Sequence, residues 1–296
     1  MTTVTAGSAA VQRLRLRTEL REARLSAGLT QRQVADEMEW SPSKLIRIEA
    51  GEVGITANDL RLLLVFYRVD DPAYVERLLE FARGSRKMPF TEYRDIYHKD
   101  FLDFLAMEAS AWINRTFQSV VLPGLLQTEE YAAAVIRAFS PDESTAQVSR
   151  MVEARMLRQD VLDIAGEAQF FFILDESVIR RQVGGATTMR AQLRQLAALA
   201  TRPNVHLMVL PFSLGAHAAS AGPFTLFEFK EDVPACLYLE NPRGNATVST
   251  GPDDIANSID LFQDLETKVI RDDVSKILLR IADGLGTTPA DLTPSS

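Results

Sequence analysis

The stretch from residue 41 to residue 47 concentrates side chains suited to recognition by hydrogen bonding. It reads Ser-Pro-Ser-Lys-Leu-Ile-Arg, and Ser43 and Arg47 lie four residues apart, on the outer face of a predicted helix. A serine hydroxyl donates to or accepts from several kinds of partner. The arginine fork can bond two acceptors of one base edge together, such as O6 and N7 of guanine. These residues therefore suggest non-covalent recognition, with no bond broken.

The helix that carries these residues has recognisable ends. Ser41 is a favourable N-cap, and Pro42 suits the first helical position, where no N–H is needed. Leu45 and Ile48 lie three residues apart and should face the core, and Gly51 should end the helix.

Helical periodicity predicts four more helices around this one. The first ends at Gly28, and the second begins after Thr30, which forms a capping box with Gln33. The fourth is capped by Thr56, and the fifth opens at Pro72. Five short helices with an abrupt turn between the second and the third predict a helix-turn-helix domain.

The pattern from Leu16 to Leu64 resembles the XRE-type helix-turn-helix domains, the class that includes phage repressors. Its centre reads GLTQRQVADEMEWSPSKLIRIEAGE and contains the elements L-T-Q-x-x-V-A and I-E-A-G at the family's separation. The resemblance implies that the third helix lies in the major groove of DNA, with its N-terminal residues at the base edges.

Specific roles follow from this resemblance. Arg47 and Ser43 are expected at base edges, and Gln31 at a phosphate near the positive end of the second helix. The resemblance also implies a partly buried salt bridge between Arg24 and Glu49, which would join the first helix to the third. The predicted DNA-contacting residues are Thr30, Gln31, Arg32, Ser41, Pro42, Ser43, Lys44 and Arg47.

The charge is unevenly distributed along the 296 residues. Residues 11–88 hold 14 Lys and Arg against 12 Asp and Glu, a net +2, whereas residues 89–296 hold 18 against 28, a net −10. Together these give the −8 of the whole chain, which argues against nonspecific nucleic-acid binding by the chain as a whole. The length predicts two domains.

The predicted fold class is an all-α N-terminal helix-turn-helix domain of five helices, followed by an α+β C-terminal domain. The predicted boundaries are 11–84 for the first domain, 85–92 for a linker, 93–286 for the second domain and 287–296 for a disordered tail.

In the second domain, the pattern predicts one helix over Asp95–Phe117, a short strand at Val120–Leu122 and a long helix from Pro141 to Asp163. Further strands are predicted at Phe170–Leu174, Val205–Leu210, Phe224–Glu228, Cys236–Glu240 and Thr247–Ser249. Further helices are predicted from Thr128 to about Phe139 and at Glu176–Gln182, Thr188–Ala200, Pro252–Val269 and Asp272–Leu285.

Three segments, VLPGLLQTEEYAAAVI, FILDESVIRR and NVHLMVLPF, extend the resemblance to about residues 14–285. With the helix-turn-helix head they resemble the large WhiJ-like actinobacterial regulators that carry a C-terminal domain of unknown function. This resemblance implies a DNA-binding regulator that often works with a small partner protein, and it does not imply a known catalytic activity or a known ligand.

The sequence carries no recognisable catalytic or metal-binding pattern. The lone Cys236 cannot form an internal disulfide, and His98, His206 and His217 lack metal-ligand spacing. We expect no enzyme, cofactor or metal. The chain has no recognisable secretory signal and no apolar run long enough to cross a bilayer, which predicts a cytoplasmic protein.

The pair Asp175-Glu176 has two interpretations. Asp175 can cap the helix that follows, or it can line a cleft for a cationic partner, together with Arg180 and Arg181.

Two functions remain open from the sequence. The first is a homodimeric transcription regulator on a pseudo-palindromic operator of double-stranded DNA, whose second domain binds a small-molecule effector or a partner protein. The alternative is an antitoxin-like module that binds a small cognate partner, with DNA binding serving autoregulation. An enclosed pocket would favour a small ligand, and a flat apolar patch a protein partner.

Overall fold

The computed structural model of the protein describes residues 9–49, 53–84, 90–164, 168–230, 233–240 and 246–285. These residues form two compact units. The first holds the described residues up to Glu92 together with Phe101–Ser110, and the second holds Tyr93–Asp100 and the described residues from Ala111 onward. Residues 85–89 of the predicted linker and the predicted tail at 287–296 lie outside the described residues.

The first unit contains the five predicted helices within residues 9–84. They are α1 at Ala9–Ser26, α2 at Gln31–Glu37, α3 at Pro42–Glu49, α4 at Ala57–Phe66 and α5 at Pro72–Gly84. Their apolar faces meet in one core that includes Leu20, Leu45, Leu60, Leu63 and Leu78, each fully buried. Burial of these side chains supplies most of the stability that such short helices lack alone.

The turn between α1 and α2 depends on a glycine. Gly28 has a φ of 70°, in the left-handed region that residues with a side chain seldom adopt, and its N–H donates to the carbonyl of Leu25 at 2.9 Å. The chain then reverses into Thr30, the N-cap of α2.

The second unit is built on a six-stranded mixed sheet. Its strands are β1 at Ile113–Gln118, β2 at Gln169–Asp175, β3 at Val205–Leu210, β4 at Phe224–Glu228, β5 at Cys236–Glu240 and β6 at Ala246–Ser249. The order is β3-β2-β1-β4-β5-β6, with β1, β2 and β3 parallel and the other pairs antiparallel. Parallel and antiparallel halves therefore meet at β1, and the α+β prediction is confirmed.

The prediction of one helix over Asp95–Phe117 is wrong, because its last part is the central strand β1. The strand's inner face carries Asn114, Thr116 and Gln118, which are 1%, 4% and 7% exposed. Because these buried residues are polar, the segment lacks the alternation of buried apolar and exposed polar residues by which a strand is recognised in a sequence. Pairing with β2 on one side and β4 on the other stabilises this segment as a strand.

Helices cover both faces of the sheet. The helices of the second unit are α7 at Glu129–Phe139, α8 at Thr145–Leu157, α9 at Val161–Ile164, α10 at Glu176–Arg180, α11 at Gly185–Leu199, α12 at Pro252–Glu266 and α13 at Val274–Gly284, whereas most of α6 at Lys99–Glu108 belongs to the first unit. One core joins β2 residues such as Phe172 to α7, α11 and α13. The core on the other face joins Phe117 and Ile173 to Phe262 of α12.

Two further predictions need correction. Val120–Leu122 forms bends and no strand, and Leu122 accepts a side-chain bond from Gln127 instead of pairing with a neighbouring strand. The predicted long helix from Pro141 is divided: Ser144 caps α8, which ends at Leu157, and a tight turn leads to the short α9.

Glutamine side chains fix the turn that precedes α7. Gln192 is fully buried; its amide nitrogen donates to Leu126 O and its amide oxygen accepts from Thr128 N, both at 2.7 Å. Gln127 donates to Leu122 O at 2.7 Å, and Gln159 donates to Gln127 O at 2.7 Å. The backbone groups of this irregular segment thus find partners without secondary structure.

Candidate nucleic-acid interface

The capping of α2 sets the direction in which that helix begins. The Thr30 hydroxyl accepts from Gln33 N at 3.2 Å, and Thr30 N donates to Gln33 Oε1 at 2.9 Å, so the predicted capping box is present. Val34 and Ala35 anchor the opposite side of α2 in the core, which leaves Thr30 and Arg32 exposed.

The amphipathic pattern of α3 orients its outer face. Leu45 is fully buried and Ile48 is 4% exposed, and these two residues hold the helix against the core. The other side presents Ser43, Ile46 and Arg47, all exposed. The helix begins at Pro42, where the sequence placed its first residue.

A buried ion pair connects α1 with α3. The Nε of Arg24 donates to Glu49 Oε1 at 2.6 Å, and a second guanidinium nitrogen donates to Glu49 Oε2 at 3.1 Å. The two side chains are 9% and 5% exposed. The hydrogen bond to Glu49 raises the pKa of Arg24, against the lowering effect of burial, so the guanidinium stays charged.

Glu49 also receives Gln31, the first residue of α2. The Gln31 amide nitrogen donates to Glu49 Oε2 at 2.8 Å. One carboxylate thus ties α1, α2 and α3 together. A primary amide carries two hydrogens, so Gln31 keeps one donor while it braces Glu49.

Lys44 is held on the side of α3 that faces α4. Its ammonium lies 3.3 Å from Asp59 Oδ2 and 3.8 Å above the ring of Trp40. The sequence predicts Lys44 at DNA, and neither Asp59 nor Trp40 is evident from the sequence as its partner. A separation of 15 residues between Lys44 and Asp59 gives no local signal, and an acid in the first turn of α4 is expected for helix-dipole reasons alone.

The two serines at the start of α3 contact each other, with Ser41 Oγ 3.1 Å from Ser43 Oγ. Both residues are exposed, as are Pro42 and Arg47. The structure therefore brings Ser41, Ser43 and Arg47 onto the outer side of one helix, close in sequence to the α2 start. Lys44 points toward Asp59, and Gln31 points toward Glu49.

The acidic pair of the second unit is structurally engaged. Asp175 Oδ1 accepts from Ser177 N at 2.8 Å and so caps α10. Glu176 is partly buried, which would raise the pKa of its carboxyl, but bonds from Phe212 N and Arg180 outweigh burial and lower it. Asp175 also lies 4.0 Å from the imidazole Nε2 of His217.

His206 is a half-buried strand residue. Its ring stacks on Phe171 with centroids 4.4 Å apart, and its Nε2 lies 2.9 Å from Gln169 Oε1. Within the described part of the chain, no three His, Cys, Asp or Glu side chains are grouped as metal ligands.

None of the described helices combines the length and the apolar character that a membrane span requires.

Comparison with known families gives two matches. Residues 15–78 match a helix-turn-helix domain, and residues 101–279 match a domain of unknown function, DUF5753. No curated protein and no solved structure matches the chain. The two matches confirm the resemblance found in the sequence, a helix-turn-helix head followed by a large domain of unknown function. Because the second match covers more than half of the chain, the protein belongs to the DUF5753 family and carries a helix-turn-helix domain ahead of that region.

Proposed function

We propose that the protein is a sequence-specific DNA-binding transcription regulator. The observation that carries this proposal is the orientation of α3: Leu45 and Ile48 are buried, and the side with Ser43 and Arg47 is exposed. A helix of this kind, in a helix-turn-helix domain, is suited to the major groove.

In this function Arg47 reads a base edge, and Ser43 supplies a short donor or acceptor beside it. One bidentate arginine contact contributes about 1–3 kcal/mol of discrimination between bases. Pro42 and Ser41 bring the start of α3 close to the duplex. Thr30 and Arg32 contact phosphates, which fix the register without carrying sequence information.

Gln31 and Lys44 each bond to a carboxylate of the first unit in addition to their proposed phosphate contact. Gln31 donates its free amide hydrogen to a phosphate while Glu49 holds the other. Lys44 must leave Asp59, or reach past it, to touch the backbone. The exposed fraction of the Lys44 side chain, 40%, leaves room for this movement.

The second unit supplies the regulatory input and, with the first, a homodimer that matches a pseudo-palindromic operator. In such a dimer the two α3 helices lie about 34–36 Å apart, one turn of DNA. An effector acts by binding the DNA-competent and incompetent forms unequally.

A second candidate is the antitoxin-like module that binds a cognate protein. It is favoured by the shape of the cavity between α7 and α8, which is an open groove of about 910 Å³. Open apolar surfaces suit protein partners better than small ligands.

The test is selection of binding sites from a random DNA pool by the purified full chain. We expect an enriched, two-fold symmetric motif. An Arg47→Ala variant should lose preference at one position of each half-site, with a loss of roughly 5- to 150-fold, which corresponds to about 1–3 kcal/mol. Arg194→Ala, which removes an exposed arginine in the second unit, is the matched control and should select the wild-type motif. Failure of the wild-type chain to enrich any motif would overturn the proposal.

A further inference from the structure

Small and flexible apolar side chains form part of the floor of the groove between α7 and α8, beside the polar Ser149 and Thr188. Ala133 and Ala134 form the α7 side of this floor, and their small side chains let a partner approach the backbone of α7 closely. Val148, Val152 and Met156 form the α8 side of the floor. Methionine adapts to the shape of what it contacts, which suits a surface that receives another chain.

This floor is only partly covered within the second unit. Val148 and Val152 are buried against Ile136, so the accessible part of the floor is formed by Ala133, Ala134 and Met156, each half-buried. At the end of α8, Leu157 is 45% exposed and also lines the groove. A leucine exposed at the edge of a methionine-containing floor is a favourable contact for an apolar partner.

The rim of the groove is strongly acidic. Its charged residues are Glu129, Glu130, Glu153, Asp160 and Arg137, four carboxylates and one guanidinium. Within the described residues, none of the four carboxylates lies in a salt bridge. Arg137 lies on the rim and Arg150 interacts electrostatically with Glu153, so the protein itself neutralises these four carboxylates only in part.

Helix stabilisation does not explain all four of these acids. Glu129 and Glu130 occupy the first turn of α7, where carboxylates complement the helix dipole. Glu153 lies in the second half of α8, and Asp160 follows that helix. Glu153 gains nothing from the dipole of α8, whereas Asp160 directly precedes Val161, the first residue of the short α9.

An apolar floor with an acidic rim matches one kind of partner. We propose that the α7/α8 groove binds a basic amphipathic helix of a partner protein, with apolar anchors at i, i+3, i+4 and i+7 on the floor and Lys or Arg against the rim. This inference rests on the proposed function of the second unit, which is to bind a partner protein. A second copy of the same chain fits less well, because residues 89–296 carry a net charge of −10.

The probe is a fluorescein-labelled synthetic helix with leucines at the anchor spacing and lysines beside them. Its anisotropy is followed on titration with the full chain, and a peptide with glutamate at every lysine position is the negative probe. We expect saturable, salt-sensitive binding of the lysine peptide and none of the glutamate peptide.

Two variants locate the binding. Glu153→Lys with Asp160→Lys should weaken the lysine peptide about tenfold, since two attractive contacts become repulsive. Ala134→Phe should weaken it similarly by filling the floor. Asp253→Lys with Asp260→Lys makes the same charge change on exposed positions of α12, which packs on the opposite face of the sheet, and should shift the Kd less than twofold.

Equal binding of both peptides, equal effects of the groove and control variants, or no binding by the wild-type chain would each overturn the inference. A change of oligomeric state in Ala134→Phe without peptide binding would assign the groove to a second copy and also overturn it. Operator binding is measured on the same samples, so failure of the DNA-binding function is seen separately.

Discussion

Arg24 and Glu49 face each other across the junction of α1 and α3 and share two hydrogen bonds, at 2.6 and 3.1 Å, away from solvent. The same carboxylate accepts from Gln31 at 2.8 Å. The orientation of α3 relative to α1 and α2 therefore depends on one buried negative charge. Its loss should affect folding before it affects recognition.

Glu49→Gln should reduce the free energy of unfolding of the first unit by about 3 kcal/mol, because breaking a buried pair leaves the other charge uncompensated. Urea unfolding in a Trp112→Phe background measures this, since Trp40 then is the remaining tryptophan. Glu37→Gln, an exposed acid on α2, is the control and should change stability by less than about 0.5 kcal/mol. Replacing Arg24 and Glu49 together with methionine should restore most of the loss. A Glu49→Gln chain as stable as the control would show that the pair is not structural.

Asp59→Asn should strengthen nonspecific DNA binding. The substitution removes the carboxylate that lies 3.3 Å from the Lys44 ammonium and frees that lysine for a phosphate. Each added phosphate contact steepens the dependence of log K on log salt by about 0.9. The measurement is the Kd for a nonspecific duplex at several salt concentrations.

Asp70→Asn provides the comparison, since it removes one exposed negative charge from the same unit and leaves Lys44 beside Asp59. Identical salt slopes for the two variants would mean that Lys44 does not reach the DNA backbone.

Gln192→Leu should lower the free energy of unfolding of the second unit by about 2–4 kcal/mol. Leucine has a similar volume, but Leu126 O and Thr128 N would each lose a 2.7 Å partner, and a buried polar group without a partner costs about 1–3 kcal/mol. Trp112 fluorescence in a Trp40→Phe background reports unfolding of this unit. Gln182→Leu, at an exposed position, should have little effect. The assignment fails should both variants unfold at the same urea concentration.

The stability of the second unit should fall as the pH falls below the ordinary pKa of histidine, about 6.5. Burial lowers the pKa of His206, so the unfolded chain binds this proton more readily than the folded one. The stability that depends on neutral His206 is therefore present above the pKa of this residue in the unfolded chain. It is lost as the pH falls towards the lower pKa of His206 in the folded chain. His206→Phe preserves the stacking on Phe171 and removes the titration.

This pH dependence is measured by unfolding curves of the wild-type chain and of His206→Phe between about pH 7.5 and pH 5. A wild-type pH slope equal to that of the variant would contradict it.

The sequence by itself determined the part of the first unit within residues 9–84 almost completely. Its helices are short, each has a local cap or a glycine stop, and their apolar residues recur at helical spacing, so Thr30, Thr56 and Pro72 mark helix starts without reference to the rest of the chain. Five strands of the second unit, such as Val205–Leu210, were also evident, because apolar and β-branched residues are frequent in them.

Only the tertiary structure decided what depends on distant partners. The segment Ile113–Gln118 is a strand because β2 and β4 pair with it, although its polar row has no strand signal of its own. Lys44 turns to Asp59, and Glu49 joins Arg24 to Gln31, over separations at which local spacing carries no information. The acidic groove likewise exists because α7 and α8 pack side by side, which brings Glu129 and Glu153 to one rim. Helix caps and periodic faces are local properties of the chain, whereas pairing and convergence are properties of the folded whole.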